Sequence, residues 1–232
     1  MATPTVSSNP VVQRHYEVQL GISKSLSDAL ARIAVLPSSP DYLRVVAALV
    51  AQYQGGAISL ARDYYGDMRE QAGVRSAFRP PTISPAPERA IQAYIGKATE
   101  ELGTLSADYE RQVAEFAKNL AVSAGTDELF AAKNADPERV RWARVTRPQA
   151  CSFCLMLASR GAVYRTEDTA TFRPHKTCRC DVEMAWSTSS YEPAAHIRAA
   201  QHLWSESTAG VDGTKAKQNA FRRALAADRR GA

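Results

Sequence analysis

All four cysteines of the chain fall between residues 151 and 180, as two close pairs, Cys151-Ser-Phe-Cys154 and Cys178-Arg-Cys180. His175 stands three residues ahead of the second pair. Thiolate and imidazole are donors that tetrahedral zinc takes, and a two-residue spacer lets one turn deliver two thiolates to one point. The twenty residues from Leu155 to Pro174 set the second group at a distance that suits a completed zinc knuckle. On a strand, Cys178 and Cys180 would point the same way, because side chains alternate with period two. Five donors then compete for four positions. Cys151, Cys154, His175 and Cys178 are the favoured set, with Cys180 beside them or in place of His175. A structural zinc ion is the cofactor expected. Two other readings stay open: reduced cysteines packed as small apolar side chains, and two disulfides.

The elements that must position these residues can be read from apolar spacing. Val140 to Thr146 and Cys180 to Trp186 have the β-branched and aromatic content of strands, and so does the shorter run Ala162 to Tyr164. Phe153 to Arg160 reads as a helix closed by Gly161. The module over residues 136–186 is thus expected to be a small mixed sheet around one helix, knuckled by cysteine and histidine.

Upstream, residues 1–10 read as a polar arm. Ile22, Leu26, Leu30 and Ile33 form a first helical stripe. Ser39-Pro40-Asp41 looks like a cap for a second helix, whose stripe runs from Leu43 to Met68. Gly55-Gly56 interrupts it, marking either a kink or a close helix contact, with close packing against the first helix favoured. Four prolines within Arg79 to Pro87 make a stiff connector. Ile91 to Leu120 predicts a third long helix, with Gly125 as its stop and a short helix from Thr126 to Ala135. The expected class is mainly α with a small α+β module. Its segments are an N-terminal helical hairpin over 1–78, a linker over 79–87, helices over 88–135, the module, and a polar and basic segment over 187–232.

With 232 residues and 45% hydrophobic content the chain can bury a core of useful size. Four cysteines are too few for a disulfide-stapled scaffold. No apolar run of about eighteen residues is present to cross a bilayer, and the first ten residues lack the regions of a signal peptide. A cytosolic origin with reduced thiols is therefore expected, with no membrane partner. The net charge of +5 is concentrated at the C-terminus, where Lys215, Lys217, Arg222, Arg223, Arg229 and Arg230 face only Asp228. Ala216, Ala220, Ala224 and Ala227, flanked by Phe221 and Leu225, predict an amphipathic helix with a basic outer face. Such a face suits nucleic acid or an acidic protein surface, and is otherwise simply solvated. No P-loop, dinucleotide-binding glycine motif or His-Glu-x-x-His is present, and no small-molecule substrate is expected.

The run from Val140 through Cys151, Cys154 and Arg160-Gly-Ala-Val-Tyr164, continued by His175-Lys-Thr-Cys178-Arg-Cys180, resembles the MuF-like minor head proteins of tailed bacteriophages, in the versions found in phages of actinobacteria. The resemblance implies a minor structural protein of the phage head, needed for head assembly or genome delivery. It would be assembled in the bacterial host cytoplasm and reside in the head interior. It implies the portal protein and capsid or scaffold proteins as partners, with packaged DNA as a further contact. It carries the family's cysteine and histidine positions onto Cys151, Cys154, His175, Cys178 and Cys180. A structural role without enzymatic activity is expected. The first alternative, a capsid maturation protease, would need a base such as His196 or His202 near Ser205 or Ser207. The second, a zinc-stabilised nucleic-acid-binding module, lacks the interleaved aromatic and basic residues of a base-stacking surface.

Overall fold

A computed structural model describes residues 5–33, 41–100, 107–165, 180–186 and 191–231. The chain is mainly helical with a small sheet, as its periodicities predict; among the described residues that sheet is two-stranded and antiparallel rather than mixed. In order the elements are α1 (Pro10–Ile33), α2 (Tyr42–Gln71), α3 (Glu88–Ala98), α4 (Ala107–Ala135), β1 (Val140–Thr146), α5 (Ser152–Ala158), β2 (Cys180–Trp186), α6 (Ala195–Thr208) and α7 (Thr214–Gly231). They divide into two compact units, one formed by residues 15–67 and 76–137, the other by residues 1–14, 68–75 and 138–232.

The regular elements described in the first unit are all helices. Leu26 and Leu30 of α1, Val46, Ala47 and Val50 of α2, Ile91 and Ile95 of α3, and Val113, Ala117 and Ala121 of α4 close one core, each set repeating at three- or four-residue spacing. The proline-rich connector runs extended and lends its backbone to this unit. Its Ile83 N–H donates to Glu128 Oε2 at 3.0 Å and its Ala86 N–H to Gln54 Oε1 at 2.9 Å. Glu128 is fully buried and also accepts from Arg62 Nε at 3.0 Å.

Four expectations change here. Helix α4 does not stop at Gly125 but continues to Ala135, absorbing the short helix read over Thr126 to Ala135. The glycine is present for space: a Cβ there would lie 2.9 Å from the Ala57 carbonyl oxygen on α2. Gly55 and Gly56, expected to mark a close helix contact, have nothing described within 4 Å of where a Cβ would sit. The close approach lies one residue further along α2, where its partner is α4. The long helix read from Ile91 is α3, which ends at Ala98 with Thr99 as its cap, followed by α4. Residues 34–40 and 101–106, which held the expected Ser39-Pro40 cap and part of that helix, lie outside the described residues.

The second unit surrounds the sheet. β1 and β2 pair from Val140↔Trp186 to Thr146↔Cys180. The Ala162 to Tyr164 strand is reduced to a single bridge, Trp142↔Tyr164. The residues expected to form a polar arm are held at this sheet. Val6 and Ser7 are buried, and Asn9 caps α1 by accepting from the Val11 N–H at 2.9 Å, with Pro10 at the first helical position. Helix α7 buries Phe221 and Leu225, whereas Ala216 and Ala227 of the expected alanine stripe are exposed.

Candidate functional site

The chemistry-bearing residues meet where β1, β2 and α5 converge. Strand pairing fixes which side chains share a face. Trp142, Arg144 and Thr146 of β1 lie on one face with Cys180, Val182, Met184 and Trp186 of β2; Ala143 and Val145 lie on the other with Asp181 and Glu183. Helix α5 packs against β1 and begins immediately after Cys151.

Cys151 is the N-cap of α5, and its sulfur accepts from the Cys154 N–H at 3.4 Å. The cap geometry explains the two-residue spacer, since the N-cap side chain and the third residue of the helix meet at a helix start. Cys154 is fully buried, and its thiol interacts with the sulfurs of Cys180 and Cys151. The bond to Cys180, together with burial, pushes the Cys154 thiol up. The same bond holds Cys180 below the ordinary thiol range, aided by the Arg144 guanidinium and by the Thr146 hydroxyl at 3.5 Å. Burial works against that shift. The two sulfurs thus form a buried pair beside the Arg144 cation.

Three of the five expected donors, Cys151, Cys154 and Cys180, are thus gathered, with Cys154 interacting with the other two. His175 and Cys178 lie outside the described residues. Among the described residues no group of three or more His, Cys, Asp or Glu side chains is arranged to hold a metal ion. Thiolates are donors that a soft cation takes.

Sequence reasoning missed what surrounds the thiols. Arg144 is 1% exposed and faces Cys180, a placement readable only once the β1–β2 register is known. On the opposite face Asp181 and Glu183 are both buried. Glu183 Oε2 accepts from the Ser7 hydroxyl at 2.7 Å, yet burial, reinforced by Asp181, raises its carboxyl to about 7. Tyr191 is pushed up in turn, by burial first and then by Glu183.

The histidines available as bases are engaged elsewhere. His196 Nε2 lies 2.6 Å from the Thr146 carbonyl, and burial lowers its pKa, so the neutral ring donates to that oxygen. His202 Nδ1 lies 3.1 Å from Glu206 Oε2 on the exposed side of α6.

The basic helix divides into two parts. Arg229 Nη2 donates to the carbonyls of Ala150 at 2.7 Å and Pro148 at 3.1 Å, holding the turn that leads into Cys151. Lys215, Arg222, Arg223 and Arg230 are exposed and Lys217 is half-buried; none of the five has a carboxylate partner among the described residues.

The model of the VG15 protein family matches residues 23–207, a span that takes in parts of both units. No curated protein and no solved structure shows a significant match.

Proposed function

The chain belongs to the VG15 protein family, a family of phage-virion type, and from that premise we propose that it is a MuF-like minor structural protein of a tailed-phage head. In this reading it joins the portal and procapsid in the bacterial cytoplasm, remains in the head interior, and serves head assembly or genome delivery. The observation that carries the reading is the family match over residues 23–207, which includes the described thiol cluster. The exposed cations of α7 add a surface suited to an acidic partner, either a portal or capsid protein or packaged DNA.

A structural role is favoured over a peptidase role by the engagement of the two histidines. His196 is tied to a backbone carbonyl and His202 to a carboxylate, whereas a nucleophile needs a base within hydrogen-bond reach. The proposal includes a structural zinc ion held by the thiol cluster, supported by donor type and by the meeting of Cys151, Cys154 and Cys180. The ion would fasten the start of α5 to β2. Native mass spectrometry should find roughly one zinc per chain, and metal-free protein purified without chelators would remove this part of the proposal.

The head reading is tested genetically. Cells infected by the phage with a stop codon early in this gene should yield few DNA-filled heads, and the intact chain supplied in trans should restore them. A normal yield of infectious, filled heads without the chain would overturn the reading.

A further inference from the structure

Helices α5 and α7 leave a pocket of about 170 Å³ between them, at the outer side of the thiol-bearing helix. Phe153, Met156 and Phe221 give it an apolar lining, while Gln218, Asn219 and Arg222 supply polar atoms. Met156 and Phe221 are buried side chains, whereas Phe153 is 40% exposed. An apolar cavity of about 150 Å³ accommodates benzene, so a pocket of this size suits one phenyl or leucyl side chain. Arg222 joins the pocket to the exposed cations Lys215 and Arg223 of the same helix. Between Thr214 and Gly231 the only acidic residue is Asp228.

We propose that this pocket receives one bulky apolar side chain of an acidic protein segment, whose carboxylates pair with Arg222 and the neighbouring cations of α7. The combination distinguishes protein from DNA. Duplex DNA offers phosphates to the cations but no apolar knob for Phe153, Met156 and Phe221, whereas an acidic amphipathic segment offers both. Apolar anchors in a pocket carry most of the affinity of such contacts, and rim charges set approach and register. The inference deepens the reading of a head component by stating which kind of partner surface it docks on.

The purified full-length chain decides it by fluorescence anisotropy with three probes: a glutamate-rich peptide with one central phenylalanine, its twin with alanine there, and a short DNA duplex. The phenylalanine peptide should bind about tenfold or more tightly than its twin, the ratio expected for burying a phenyl ring. Asn219→Trp, which fills the pocket from a partly exposed helix position, should abolish that ratio. Arg222→Glu should weaken both peptides while preserving the ratio. Equal binding of the two peptides, or binding of the duplex alone, would overturn the proposal. Failure here leaves the chain's presence in heads untouched, and its absence from heads leaves the peptide ratio untouched, so the two readings fail separately.

Discussion

The two units bury different things. In the helical unit the core is a continuous set of aliphatic, alanine and tyrosine side chains from four helices, and the buried carboxylate of Glu128 is satisfied by Arg62 and a backbone N–H. In the sheet unit two seven-residue strands bury Arg144, Thr146, Asp181 and Glu183 beside three thiols. A two-stranded ribbon offers little apolar area of its own. The sheet unit therefore adds to its buried apolar side chains, Trp142, Leu155 and Trp186 among them, a set of buried polar groups that must be partnered.

The contrast predicts different responses to substitution. A large effect belongs to the helical core, where Ile95→Ala should cost about 3 kcal/mol by chemical denaturation, the usual cost of an unfilled cavity. A cost below about 1 kcal/mol would mean that this core is loosely packed and would blur the comparison.

Next comes a pH effect confined to the sheet unit. The Glu183 carboxyl is raised from 4.5 to about 7, so the folded state holds a proton that the unfolded chain has released. Stability should then fall by ~1.4 kcal/mol per pH unit as pH rises through that window, and level off above about 7. Glu183→Gln should flatten the profile. An unchanged slope in the variant would show that another group titrates there.

A smaller, two-signed effect separates the glycines. Gly125→Ala should destabilise by about 1.5 kcal/mol, as overpacking against the Ala57 carbonyl outweighs the gain in helix propensity. Gly55→Ala and Gly56→Ala should stabilise by about 0.5 to 1 kcal/mol each, as expected for helix positions with open space. Thermal melts of the three variants decide it, and the same sign at all three would contradict the packing assigned to Gly125. An effect of similar size is that of Arg229→Ala, about 1 kcal/mol for the two hydrogen bonds to the Pro148 and Ala150 carbonyls. Amide exchange should quicken in the turn before α5, and unaltered exchange would show that the turn holds without Arg229.

What could be read in advance follows the same division. The strands Val140–Thr146 and Cys180–Trp186 and the core stripes of α1, α2 and α4 announce themselves through period and residue type, which are local signals. Gly125 misleads because a helix stop and a close helix approach call for the same residue, and only the neighbouring helix distinguishes them. The thiol cluster was visible as spacing. Its partners Arg144 and Thr146, and the docking of Ser7 on Glu183 across 176 residues of chain, depend on strand register and long-range contact. Arg229 looked like one more cation of a basic face, yet it is turned onto backbone carbonyls far away in sequence.

The central claim is that this chain is a component of the phage head, and quantitative mass spectrometry of purified heads tests it most directly. The chain should be recovered from DNA-filled heads reproducibly, at a copy number well below that of the major capsid protein. Its absence from heads purified out of cells that express it abundantly would contradict the claim.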